Sequence, residues 1–172
     1  IAHNWEHVRR VIVNAVYIAL QEQAELDIVL PAIILHDLGY ATNPDEPKKH
    51  PQHGAEKCYP YLQAWEPEER DLISDCILKH KGRYPGFGIE PESLEEKVVC
   101  DGDQVDKFGW VGFMQMLKVY MEYGIRGREE YSTLSGLAEA ITHQQSIVLY
   151  TDTGKDFARR LAAAGPDNLR VA

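Results

Sequence analysis

The sequence has few cysteines and no C-x-x-C pair: Cys58, Cys76 and Cys100 are an odd number, so no complete disulfide framework can be drawn from them. A reducing, cytoplasmic setting fits that usage. It also lacks any apolar run near the ~20 residues that a membrane-spanning helix requires. The opening residues include His3, Asn4 and Glu6, where a signal peptide would be apolar. The first residue is Ile1 rather than Met, which leaves room for residues upstream. Basic charge is scarce, with 18 Lys and Arg against 27 Asp and Glu and a formal net charge of -9. A surface for a nucleic-acid polymer or an anionic membrane needs clustered cations, so neither partner is expected. A charged small substrate would need a local cation instead, and a bound metal ion can reverse the field inside an acidic protein. Finally, no stretch alternates with period two long enough to read as a strand, which points to an all-α class.

What is present is helical periodicity. At 172 residues, 44% hydrophobic and 26% charged, the chain has the composition of an ordinary globular protein and enough length for one domain spanning residues 1–172. Val8, Val11, Ile12, Ala15, Ile18 and Ala19 form the stripe of a first amphipathic helix ending near Gln23. A second is expected from an N-cap at Asp27 through His36-Asp37-Leu38, with Gly39 as its stop and Pro31 close enough to the first turn to be tolerated. Residues 40–50 are rich in Pro, Asn and Asp and read as a loop. Further helices are expected at 51–62 (stripe Ala55, Cys58, Tyr59, Leu62), at 67–80, and after the capping box Ser93-Leu94-Glu95-Glu96. Three more are expected at 111–123, 133–150 and 154–164. The sequence sets no oligomeric state, although residues 111–123 are apolar enough to form an interface.

Several ionisable residues fall on the apolar stripes. Asp37 lies four residues after Ile33, and His36 lies three after it. His7 is four before Val11, Asp103 is four after Val99, and His80 is four after Cys76. Residues at such spacings share a helix face. Five ionisable side chains on four helices therefore point inward, and buried charges are usually paired or bound to metal. Each alone also reads as a hydrogen-bonded core residue, whereas one divalent cation would account for all of them together.

The combination of His7 in HVRRV, His36-Asp37 in LHDLGY and Asp103 in CDGDQVDKFG resembles the HD superfamily of metal-dependent phosphohydrolases, named for the adjacent His-Asp pair. The likeness spans about the first 110 residues and is nearest the small single-domain branch, some of whose members hydrolyse nucleotides. It implies a compact helical bundle, with metal ligands at His7, His36, Asp37 and Asp103. The cyclic-dinucleotide phosphodiesterase branch carries further H-H-E and G-Y-P arrangements; residues 79–88 here read KHKGRYPGFG, so that activity is not expected.

Two imidazoles and two carboxylates form a mixed N/O set suited to Mn, Fe, Co, Ni, Zn or Mg. A metal-dependent phosphohydrolase acting on a nucleotide or other small phosphate ester is the expected function. On this reading Asp37 orients the attacking water, and His53 and His80 bind phosphate, assist proton transfer or hold a second ion. Arg10, Lys81 and Arg83 are candidate phosphate-binding cations, although Lys81 and Arg83 also read as solvated loop charges. Tyr40, Tyr84, Phe87, Phe108 and Trp110 can stack on a base or simply pack. Three alternatives stand beside this function. One is a di-metal oxygenase of the same superfamily, using His53 and His80. Another is an H-x-x-E-H metalloprotease, in which His3 and His7 ligate and Glu6 is the base. The third is a non-catalytic module whose bound metal or ligand is structural.

Overall fold

The structure, a computed structural model, describes residues 4–83, 89–125, 133 and 146–164. Every regular element among the described residues is helical, as the absence of alternating patterns requires. The helices are α1 (Trp5–Glu22), α2 (Leu26–Leu35), α3 (Leu38–Thr42), α4 (His50–Lys57), α5 (Pro67–Lys79), α6 (Leu94–Val105), α7 (Gly109–Ile125) and α8 (Asp152–Ala163). Short 3-10 turns at Pro47–Lys49 and Tyr59–Tyr61 flank α4. α1 lies against α2 and α6, while α5 packs on α2, α4 and α6, and α8 closes over α6, α7 and α1. The core between them is built from the expected stripes, with Val11, Ala15, Ile18, Ile33, Ile73, Ile77, Val98 and Val99 fully buried.

Local chemistry sets the helix ends. Asn4 caps α1 by accepting from the His7 backbone N–H at 3.1 Å. Ser93 and Glu96 form the expected capping box of α6, and Glu66 with Glu69 forms an equivalent one at α5. α6 comes close to α1 at Gly102, where an added Cβ would lie 2.7 Å from that of Ala15.

The second predicted helix differs most from expectation. Its N-cap position is Glu25 rather than Asp27, and it ends at Leu35, so His36 and Asp37 occupy a turn before α3 begins. Gly39 is therefore not a stop but a residue of α3, and its lack of a side chain admits the His50 backbone. Pro31 lies inside α2 and supplies no N–H to the Asp27 carbonyl; the Trp65 indole donates to that oxygen instead at 2.9 Å. The helix expected at 51–62 stops at Lys57 and continues as a 3-10 turn, which leaves Tyr59 half exposed while Ala55, Cys58 and Leu62 remain buried. Of the helix expected at 133–150, residues 134–145 lie outside the described residues, and 146–150 are not helical. Asp101 fixes that last segment: its carboxylate accepts from the backbone N–H of Tyr150 (2.9 Å) and Thr151 (2.7 Å) and from the Thr151 hydroxyl (2.7 Å). Tyr84 and Phe87 also lie outside the described residues.

Candidate metal centre

Three helix ends meet in the middle of this bundle. His36 follows the last residue of α2, His80 follows the last residue of α5, and His50 opens α4 immediately after a 3-10 turn. Each imidazole turns Nδ1 to the carbonyl three residues earlier: His36 to Ile33 at 2.7 Å, His50 to Pro47 at 2.7 Å and His80 to Ile77 at 2.6 Å. Carbonyls at a helix end lack intrahelical donors, so the arrangement satisfies the backbone and fixes the proton on Nδ1. The Nε2 lone pairs are thereby aimed into the cluster. Tyr40 stacks on His50 with centroids 4.0 Å apart and planes at 15°, which holds that ring further.

These nitrogens face each other. His36 Nε2 is 3.4 Å from His7 Nε2, and His50 Nε2 is 3.2 Å from His80 Nε2. Two lone pairs at that distance repel, so either one ring takes a proton or a cation lies between them. Carboxylates complete both groups. Asp37 Oδ2 lies 3.6 Å from His7 Nε2 and 3.3 Å from His36 Nε2. Its other oxygen, Oδ1, lies 3.6 Å from His50 Nε2 and 4.0 Å from His80 Nε2. His7, His36 and Asp37 thus make one group able to hold an ion, and Asp37, His50 and His80 make a second, sharing one carboxylate. Asp103 Oδ1 joins the first, 3.3 Å from His7 Nε2; it is buried and accepts no hydrogen bond among the described residues. A buried carboxylate oxygen facing imidazole nitrogens suits a hard or borderline divalent cation, so the residues present fit a metal.

Charges behind the cluster act on its protonation. Burial pushes His7 down, but the carboxylates of Asp103 and Asp106 beside its two ring nitrogens and the nearby Asp37 charge outweigh this and raise it to about 9. His80 is pushed well below the usual imidazole value by burial and by Lys81 next to it. Burial would raise Asp103, yet Lys107 and Lys81 hold its carboxyl well below the usual range.

The structure brings together His7, His36, Asp37, Asp103 and His80 and separates other candidates from them. His53 Nε2 pairs with Glu46 at 3.0 Å, and its Nδ1 faces Glu56; His50, three residues earlier, stands in the cluster instead. Arg10 is committed to Asp106, with Nε donating to Oδ1 at 2.7 Å and Nη2 to Oδ2 at 2.9 Å. Lys81 is buried, and its Nζ donates to Asp103 Oδ2 at 2.9 Å. The loop cation Arg83 pairs with Glu90. Glu6, the base of the protease reading, has a side chain 65% exposed and pairs with Arg9, while His7 turns its Nε2 to His36, Asp37 and Asp103. His3 lies outside the described residues.

Periodicity could not mark His50, which opens its helix just before Pro51 and precedes any stripe. Lys107 carried no such mark, whereas Asp106, which flanks Asp103 in sequence and reads as a group either behind the ligands or at the surface, stands behind His7. Asp106 Oδ2 contacts His7 Nδ1 at 2.8 Å, and Lys107 Nζ lies 3.5 Å from Asp103 Oδ2. Their spacing from Asp103, three and four residues along α6 and its end, was the available signal.

Comparison with known proteins agrees with this geometry. YpgQ of Bacillus subtilis (strain 168) is 30% identical over 162 residues, which cover 91% of this chain and 76% of YpgQ. The crystal structure of B. subtilis YpgQ in complex with ADP matches with a TM-score of 0.67 at 28% identity, over 94% of this chain and 80% of that one. The fold is shared with a predicted HD superfamily hydrolase from an uncultured Thermotogales bacterium, at a TM-score of 0.65, 22% identity, and 94% and 75% coverage. With residues 4–107 matching the HD domain and the His36-Asp37 pair at the heart of the cluster, the chain belongs to the HD-domain family.

Proposed function

We propose that this protein is a metal-dependent phosphohydrolase acting on a nucleotide or other small phosphate compound. The observation that carries the proposal is the convergence of four imidazole Nε2 atoms on the two oxygens of Asp37, with Asp103 Oδ1 beside them. His7, His36, Asp37 and Asp103 would hold one divalent cation, and His50, His80 and Asp37 a second. Such a cation, whether Mn, Fe, Co, Ni, Zn or Mg, supplies Lewis acidity to a phosphoryl oxygen and acidifies water beside it.

The chain's own residues do the rest. Asp37, the partly exposed member of the cluster, would accept a hydrogen bond from the attacking water and so orient it. Lys81, donating to Asp103 Oδ2, turns the other oxygen toward the cluster. Arg10 is held by both oxygens of Asp106 and Lys81 is buried on Asp103, so Lys107, whose Nζ donates to Gln104 Oε1 at 2.6 Å beside Asp103 and whose side chain is part exposed, would be the cation to meet a phosphate oxygen. The three cysteines are free and buried, which fits the cytoplasmic setting proposed for the reaction. That YpgQ is known in complex with ADP supports a nucleotide as the substrate class.

The test is a screen of metal-loaded protein against nucleoside mono-, di- and triphosphates, with product identification. Release of phosphate or pyrophosphate that disappears in Asp37→Ala is the expected result; turnover unchanged in Asp37→Ala refutes the assignment. The His50–His80 pair favours one second reading, a di-metal oxygenase. Iron-loaded protein that consumes O2 with an organic substrate, and releases no phosphate from nucleotides, would establish it.

A further inference from the structure

The four imidazoles are not held alike. His36, His50 and His80 each place Nδ1 on a neutral backbone carbonyl. His7 places its Nδ1 on the carboxylate of Asp106, 2.8 Å away. Asp106 is itself buried and is gripped by the two hydrogen bonds from Arg10. An anion behind an imidazole increases the electron density at the opposite nitrogen and fixes the ring's direction, so that nitrogen binds a cation more strongly.

The carboxylates are unequal too. The position at His7 and His36 faces one oxygen of Asp37 and one of Asp103. The position at His50 and His80 faces the remaining oxygen of Asp37. Lys81, which follows His80, places its Nζ on Asp103 Oδ2 at 2.9 Å, so that oxygen is occupied and Asp103 Oδ1 is left facing the first position.

We propose that Asp106, steadied by Arg10, is a positioning residue that acts through His7 and makes the two cation positions unequal. The His7–His36–Asp103 position fills first and holds its ion; the His50–His80 position is the exchangeable one. This rests on the reading of the cluster as a metal centre, but not on the identity of the substrate.

The experiment is a Co2+ titration of the metal-free full chain, followed by calorimetry and by the visible absorption of the bound ion. Two steps of one equivalent each are expected, the first at least about tenfold tighter. Asp106→Asn should weaken the tight step by about 10–100-fold and leave the weak step in place. His50→Ala should delete the weak step alone. Because Asp106→Asn would set an amide nitrogen against Arg10, the Arg10→Leu/Asp106→Asn double variant is measured beside it and should show the same selective loss. A general loss of structure would lower the melting temperature of the metal-free variants and move both steps together, which overturns the proposal. So does binding of two equivalents in a single step by the unaltered protein, or a tight step untouched in both variants. Failure to bind Co2+ at all defeats the metal reading itself, whereas an absence of phosphate release with two unequal steps defeats only the proposed function.

Discussion

Gly39→Ala is a small change that should damage one half of the centre. α3 crosses α4 so closely that a Cβ on Gly39 would sit 2.7 Å from both the Cα and the carbonyl carbon of His50, with the carbonyl oxygen nearer still. Ordinary contact begins near 3.4 Å, so the two backbones must part by at least about 0.7 Å. Both are backbone, and no flexible side chain can yield in their place. Overpacking of this kind costs roughly 1–3 kcal/mol, which for a chain of this length corresponds to a fall in Tm of about 2–12 °C. The functional effect is sharper than the thermal one. Metal–ligand distances tolerate about 0.2 Å, and His50, a proposed ligand of the second position, has its Nε2 3.2 Å from that of His80. Displacing its backbone by several times that tolerance should remove one equivalent of bound metal, while the position at His7, His36 and Asp103, which involves no residue of α4, is retained. Differential scanning fluorimetry and metal analysis of the dialysed protein read both quantities. Unchanged Tm together with two equivalents of metal would show that α3 and α4 are not wedged in this way.

Two further outcomes follow from local chemistry. Metal-free His7 is raised to about 9, so below that pH a cation must displace its proton. Apparent affinity at the first position should therefore climb by about tenfold per pH unit between the ordinary imidazole value and pH 9, then level off; calorimetric titration in buffers of different ionisation enthalpy would count the proton released, and affinity flat across that range would contradict the assignment. Trp65→Phe keeps the ring but removes the indole donor from the Asp27 carbonyl that Pro31 leaves without a backbone partner, and should cost about 1–2 kcal/mol in urea denaturation with an unchanged m-value.

The legible parts of this molecule were those whose cause is local. Apolar spacing placed α1, α5 and α6 within a few residues, because a buried stripe imposes its period on the sequence. The break between α2 and α3 was hidden for the opposite reason: Ile33, Ile34 and Leu35 continue smoothly into His36-Asp37-Leu38, and Gly39 is a common stop. The turn is set by tertiary demands, the aim of His36 and Asp37 into the cluster and the approach of α4 to Gly39. The sequence reading favours His53 and passes over His50, although neither falls on the apolar stripe of α4, so spacing gives no ground for that choice. Their different surroundings come from the 3-10 turn at Pro47–Lys49, which lends His50 a carbonyl for its Nδ1, and from Glu46, which takes His53. Arg10 and Lys81 were read by charge alone. Whether a buried cation meets a substrate or a carboxylate of its own chain depends on partners roughly 20 to 100 residues away, Asp103 and Asp106, which spacing within one helix does not show.

Those internal pairs bear directly on the choice of substrate. Asp106 is matched by Arg10, and Asp103 Oδ2 by Lys81 with Lys107 close by, so Asp103 Oδ1 and Asp37 are the carboxylate oxygens left to face an arriving ion. Each divalent cation would then add two positive charges that these cluster carboxylates only partly offset. The loaded centre becomes a compact positive region in a protein whose formal net charge is -9. A neutral substrate would gain little from that reversal. A phosphate or polyphosphate gains most, since its equatorial oxygens carry the charge that grows as the bond to phosphorus breaks. The acidic exterior would at the same time disfavour long polyanions, for which many phosphates would have to approach uncompensated carboxylates. On the proposed function, the same charge arrangement would favour small phosphorylated compounds over both neutral substrates and long polyanions.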